Sequence, residues 1–347
     1  MENDVERRQF VKMAAAAGAA ALLPSSLAAA TAKPGGGTAK KGMPKLGVSL
    51  YSYSQLLHRS MTLEDCFADI YDMGCTTFEM FGANLDGYPY PSTQTIDRYF
   101  SLVDRYKLEP GEYACNVDTH LRRGPRMTDD QIVEYMVREI KLANTLGFRC
   151  MRSRMTDKGG GAGEAPEDGW QSYMARLLPY AEKYDVILQP EIKPQIKVQY
   201  VDDYLSFIDK HQTKHFGINV DFATFGPYAA PKMADGKAPP IDPMRPAVEY
   251  AKPEDIIPIL PYIHTCHAKF YQMSEDFQET TITAYPQVLK IMQDHGWNGN
   301  LVSEFEGVDM GRDLGDRAYV CDQLRRQHVM MRRVLGYTNR SGGSANG

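Results

Sequence analysis

Residues 186–191 read VILQPE, residues 216–221 FGINVD, residues 263–269 IHTCHAK and residues 300–304 NLVSE. Each is a short β-rich run that carries polar or acidic residues toward its C-terminal end. Working outward, the same kind of run recurs at Leu46–Tyr51, Thr76–Met80, Gly111–Asn116 and Phe148–Ser153. Amphipathic stretches separate them. Thr62 is placed to cap the first helix, and Thr128-Asp129-Asp130-Gln131 is a capping box for the third. That helix stops at Gly147, as the first does at Gly74, where a left-handed residue is needed. The last helix, Leu314 to Leu335, gathers Arg325, Arg326, Arg332 and Arg333 near its end, which suits the helix dipole.

Eight strand–helix units over residues 45–337 predict an α/β fold, a single (β/α)8 barrel. A doubly wound sheet is the competitor, but no strand runs into a G-x-G-x-x-G turn. The unit after strand six is oversized. Phe222 to Lys252 is rich in Pro, Gly and Ala without helical periodicity, so it reads as a long lid or binding loop. It lies on the face where such barrels keep their active sites. Residues 338–347 read as a disordered tail.

Composition narrows the class. The chain has 347 residues, 43% hydrophobic and 24% charged, with a net charge of −5. It is too apolar for a disordered chain and too acidic for a dedicated nucleic-acid binder. The first thirty residues read as an export signal. Arg7 and Arg8 precede the apolar run Met13–Leu23 and the small-residue site Ala28-Ala29-Ala30, the order of a twin-arginine signal peptide. The apolar run is too short for a membrane anchor. Residues 31–44 read as a flexible leader. The expected location is therefore periplasmic or secreted, with no membrane contact after cleavage. The six cysteines have no metal-ligand or disulfide spacing and sit in apolar segments, so they are expected to be buried thiols.

The chemical signal lies at the ends of strands five to eight, which deliver Glu191, Asp221, His267 and Glu304 to one rim. Buried carboxylates repel one another unless paired or metal-bound. Three carboxylates and one imidazole make an oxygen-rich divalent site, suited to Mn²⁺, Mg²⁺ or Co²⁺ more than to a structural Zn²⁺. His264 competes with His267 for the strand-seven position, but the two face opposite sides and His267 is nearer the rim. Glu306 shares a face with Glu304. Other rim candidates are Asp118, His120, Arg152, Arg154 and Lys269, as ligands for substrate hydroxyls, with Glu79 in strand two. Salt bridges with neighbouring carboxylates explain Arg152 and Arg154 equally well. Tyr51, Tyr53, Tyr88 and Tyr90 are candidates either for stacking on a ring or for packing.

This order of residues resembles the xylose isomerase-like barrel superfamily, which includes sugar-phosphate isomerase/epimerase-like proteins, ketose 3-epimerases and endonuclease IV. The histidines at strand ends are too few for the trinuclear zinc site of endonuclease IV. The resemblance is nearest to the barrel subunits of C-glycoside-deglycosidase-type lyases. It is carried by Gly47–Tyr53, Tyr88–Ser92, Leu178–Lys183, His267–Tyr271 and Ser303–Gly307. It implies a Mn²⁺-type ion on Glu191, Asp221, His267 and Glu304, and a small accessory subunit; a homo-oligomer also stays open. One departure stands out. The lyase-like pattern has Glu-Ile-His at strand five, where this chain has Glu191-Ile192-Lys193. Lys193 is thus a candidate base or oxyanion partner, or a solvated lysine.

A divalent ion so held can chelate a substrate carbonyl and its neighbouring hydroxyl and acidify the adjacent C–H. Glu191 and Glu304 are the expected base and acid. Reprotonation of the enediolate on the opposite face gives an epimer, and proton return to the next carbon gives an aldose–ketose isomer. Expulsion of a β-substituent cleaves a 3-keto-glycoside. Sugar phosphates are cytoplasmic, so export favours a non-phosphorylated sugar or glycoside and the elimination reaction. A non-catalytic carbohydrate-binding barrel is the remaining alternative.

Overall fold

The computed structural model describes residues 42–118, 125–156, 169–192, 198–225, 251–280, 282, 284–307 and 315–337. The signal, residues 31–41 of the leader, the tail and residues 226–250 of the long stretch after strand six lie outside them.

Eight parallel strands close on themselves in chain order. They are β1 (Lys45–Ser49), β2 (Thr77–Phe81), β3 (Glu109–Asp118), β4 (Cys150–Thr156), β5 (Ile187–Ile192), β6 (Ile218–Asp221), β7 (Ile263–Phe270) and β8 (Asn300–Phe305). The helices between them are α1 (Leu63–Asp72), α2 (Thr93–Arg105), α3 (Asp129–Thr145), α4 (Trp170–Lys183), α5 (Val198–His211), α6 (Tyr285–Asp294) and α7 (Arg317–Leu335). Each of the eight expected strands is present, within about three residues at either end. β1 is shorter than expected because Leu50–Tyr53 turns into a 3-10 helix, with Ser49 accepting from the Tyr51 N–H.

Local chemistry explains where the elements start and stop. Thr62 caps α1 through a full capping box with Asp65, and Thr128 caps α3 with Gln131. Each box satisfies two amide groups that a helix end otherwise leaves unpaired. Gly74 and Gly147 both have positive φ, so the chain can reverse there without a Cβ clash. The sixth crossover departs from the helical pattern. Its described part, Pro253–Tyr262, is 3-10, and Pro258 and Pro261 inside it remove amide donors an α-helix needs. Phe225 and Ala251 form an isolated bridge, so the two ends of the long stretch meet at the top of β6.

The outer core packs helices against the strands' outward side chains. Phe67, Phe78, Tyr99 and Phe148 interlock edge-to-face or tilted, and Trp170 stacks on Phe216. All six cysteines are free and buried. Among the described residues no helix is long and apolar enough to cross a membrane.

One buried polar group in this layer links stability to pH. His328 of α7 meets Ser303 Oγ at 2.9 Å behind β8, and burial, helped by Arg332, pushes its pKa from 6.5 down to about 3. Below pH 6.5 the unfolded chain therefore holds a proton that the native chain refuses. This contribution is complete above pH 6.5 and is lost at about 1.4 kcal/mol per pH unit as pH falls toward 3. Urea unfolding at pH 7 and pH 5 should show about 2 kcal/mol more acid loss in the native protein than in His328→Gln. Equal acid sensitivity in the two would contradict the assignment.

Candidate active site

The barrel interior is polar, and the register shows why. Neighbouring parallel strands point paired residues to the same side. Glu79 pairs with Glu112, Arg152 with Gln189, Glu191 with Asn219, Asp221 with His267, and Lys269 with Glu304. All ten are buried, with Glu79, Glu112, Asp221 and His267 fully inaccessible. The Glu304 side chain keeps 7% exposure, whereas that of Glu191 keeps 1%.

His267 is the hub. Its Nδ1 lies 2.7 Å from Glu304 Oε2 and 3.0 Å from Glu191 Oε1. Its Nε2 lies 3.1 Å from Glu112 Oε2 and 3.4 Å from Glu79 Oε1. Lys269 Nζ sits 2.8 Å from Asp221, 3.1 Å from Glu304 and 2.6 Å from Glu306. On the other side Arg152 bridges Glu79 and Glu191 at 3.1 and 3.0 Å and lies over the Phe81 ring.

These contacts set the protonation states. Burial alone would keep the His267 ring neutral, but Glu79 and Glu304 outweigh it and raise its pKa well above the ordinary value. Burial raises the Glu304 carboxyl, and the charges of Lys269 and His267 overcome this and hold it below the usual carboxylate range. Glu79 is lowered in the same way, by His267 and Arg152 against burial. For Glu112 burial wins, and its pKa is raised. Burial, with Glu306 and Glu304, pushes Tyr51 at the mouth up to about 12, so its hydroxyl stays a donor.

Of the residues expected from sequence, the structure brings Glu191 and Glu304 each onto His267, and it joins Asp221 to Glu304 through Lys269. Lys269 and Glu306 form an ion pair beside them. Arg152 is buried and engaged by two carboxylates. Asp118 and Arg154 lie on β3 and β4, but their side chains are outside the described set, as are His120 and Lys193 entirely. Of the four tyrosines, Tyr53 is buried with its hydroxyl on Asp69, Tyr88 is bonded to Glu139, and Tyr90 is exposed. Tyr51 alone borders the acidic cluster, 6.4 Å from Phe81.

Sequence reading missed Glu112 and ranked Glu79 low. The register slips between Phe78 and Glu79, where Gly111 is the extra residue of a bulge that turns Glu112 inward. Only glycine fits there, because a Cβ would lie 2.2 Å from Thr77 Oγ1. The available signal was a charged residue beside the apolar Tyr113-Ala114-Cys115, but parity counting cannot anticipate a bulge.

The donor set fits a divalent cation. Five buried carboxylates (Glu79, Glu112, Glu191, Asp221, Glu304) share the space with two permanent cations, Arg152 and Lys269. Glu79 Oε2 is buried with no hydrogen-bond partner. Glu79, His267 and Glu304 each offer a ligand atom, all within 4.8 Å of one another. An excess of buried negative charge is costly unless a cation neutralises it.

Comparison with known proteins agrees with this architecture. Residues 4–24 match the twin-arginine translocation signal sequence, which directs the chain to that export route. A C-glycoside deglycosidase alpha subunit of Arthrobacter globiformis is 27% identical over 84% of this chain and 92% of its own length. A 3'-dehydrocarminate deglycosidase alpha subunit of a Microbacterium species is 24% identical over 85% of this chain and 96% of its own. The structure of D-psicose 3-epimerase from Clostridium cellulolyticum H10 superimposes with a TM-score of 0.60 at 11% identity, covering 84% of this chain and 99% of that one, a likeness of fold. Residues 67–320 match the xylose isomerase-like TIM barrel model, and the chain belongs to that family.

Proposed function

We propose that the chain is a divalent-metal-dependent carbohydrate enzyme that acts through an enediolate on a non-phosphorylated keto-sugar or 3-keto-glycoside, and that its favoured reaction is β-elimination of the glycoside. The observation that carries this reading is the ring of buried carboxylates around His267 at the C-terminal ends of the strands, where barrels of this kind do chemistry. His267, Glu304, Glu191 and Asp221 would hold the ion, with Mn²⁺ the best match to the donors. When bound, the ion supplies Lewis-acid polarisation of the substrate carbonyl.

The chain's own groups do the rest. Glu191 and Glu304 flank His267 from the same side, and the Glu304 side chain keeps a trace of exposure; one of the two takes the C2 proton next to the carbonyl. The C–H electron pair would become the C2–C3 double bond of the enediolate; as the C3 carbonyl re-forms, that pair shifts into a C1–C2 double bond and the bond from C1 to the aglycone breaks. The aglycone leaves with the electron pair of that broken bond and is protonated by the second carboxyl group or by water. Arg152 and Lys269 hold the two glutamates in place. Both cations are engaged by carboxylates, which supports a substrate without a phosphate. The names of the two deglycosidase relatives support a glycoside substrate, and their designation as alpha subunits supports an accessory subunit.

With Mn²⁺ added, a chromogenic 3-keto-glucoside should lose its aglycone, and the first sugar product should carry a C1–C2 double bond with no oxygen from ¹⁸O-labelled water at C1, whereas hydrolysis would place that label on C1. Epimerised or isomerised ketose without aglycone release would make the enzyme an epimerase or isomerase. Binding of sugar without turnover of any keto-sugar would reduce it to a carbohydrate-binding barrel.

A further inference from the structure

We propose that Ser52 is a positioning residue for Glu304: its hydroxyl replaces the last rung of the β1–β8 ladder and fixes the backbone on both sides of the carboxylate. The inference rests on the role proposed for Glu304 above. β1 and β8 pair in parallel from Lys45 with Asn300 to Val48 with Ser303. In that register the next rung would carry the Phe305 N–H to the Ser49 carbonyl. The chain leaves the strand there instead. Ser49 Oγ accepts the Tyr51 N–H at 3.2 Å, and Leu50–Tyr53 winds into the 3-10 turn. That turn takes the Ser49 carbonyl out of the ladder and brings Ser52 back to the strand. Ser52 Oγ accepts the Phe305 N–H at 2.9 Å and donates to the Ser303 carbonyl at 3.3 Å.

These two bonds hold the residues on either side of Glu304. Ser52, Ser303, Glu304 and Phe305 are all buried. A buried N–H left without an acceptor is costly, so the strand end would move to find one. On its other side the strand end is held by β7. The Glu306 N–H donates to the Phe270 carbonyl at 3.0 Å, and the Phe305 ring stacks on Phe270. β8 thus ends clamped between two neighbours. The carboxylate it presents lies 2.7 Å from His267 Nδ1 and 3.1 Å from Lys269 Nζ. Among the described residues the Ser52 hydroxyl bonds to backbone alone, so it acts through the placement of Glu304 and not on substrate. Without it the β1 clamp is gone. A reacting group misplaced by about 1 Å loses about 10²-fold in rate.

Ser52→Ala removes the hydroxyl and little else. With a 3-keto-glucoside it should lower kcat about 10- to 100-fold while KM stays within about threefold of the native value. Titration calorimetry should show Mn²⁺ bound about 10-fold more weakly, as when a group that orients a ligand is lost. Ser52→Thr keeps the hydroxyl and should recover most of both. Hydrogen exchange at the Phe305 amide should be about tenfold faster in Ser52→Ala, with the helices unchanged. Native kcat and Mn²⁺ affinity in Ser52→Ala would overturn the inference, as would losses that follow only from a smaller folded fraction or a Phe305 amide that exchanges as in the native protein. Those results leave the proposed function standing. A native protein that binds no Mn²⁺ and turns over no keto-sugar would instead remove the proposed function, and the inference with it.

Discussion

If the chain binds a divalent ion as proposed, Glu304→Gln is expected to lose it along with about 10³-fold or more of the turnover, with little change in fold. Among the described residues Glu304 is the one that touches both His267 Nδ1 and Lys269, so on the proposed reading its charge would serve the ion and the proton transfer together. The amide keeps the shape but removes that charge. The fold should survive because Lys269 retains Asp221 and Glu306, and His267 retains Glu191 and Glu112. Metal content of the purified variant and its rate with a keto-glycoside are the measurements. One equivalent of bound metal together with turnover within tenfold of the native value would remove Glu304 from the machinery.

Arg152→Ala is expected to act on stability first. Its guanidinium is buried between Glu79 and Glu191, and deleting it leaves two buried carboxylates without their cation. Breaking a buried pair from one side costs about 3–5 kcal/mol, which for a barrel of this size lowers the melting temperature by roughly 5–8 °C. Added Mn²⁺ should recover part of that loss, because an ion on the same carboxylates replaces some of the missing charge. A variant with unchanged melting but a raised KM would instead make Arg152 a substrate ligand, the role its place at the rim suggested from sequence.

The twin-arginine signal and the eight strand–helix units were open to reading because their causes are local. The signal is a pattern in consecutive residues. Strand and helix positions follow from periodicity and from caps such as Thr62 and Thr128, each read within four residues. The strand-end carboxylates at Glu191, Asp221 and Glu304 were also visible, since a charged residue closing an apolar run needs a reason. The sixth crossover was harder. Its prolines announced irregular structure, yet no periodic signal separates a 3-10 stretch from a loop.

What the sequence by itself determined, then, is the barrel, the export signal and four of the acidic or imidazole groups at the rim. The tertiary structure alone decided which of them touch. Glu112 lies 155 residues from His267 in the chain and reaches it only because the barrel closes and the bulge at Gly111 reverses the parity of β3. From sequence Lys269 reads as a ligand for substrate hydroxyls, and only the register shows that it stands beside Glu304 and against Asp221. The physical reason is the same in each case. Secondary structure is set by interactions along a few residues, whereas charge pairing in a closed barrel depends on the relative register of strands far apart in sequence, and a one-residue slip moves a side chain from the interior to the outer face.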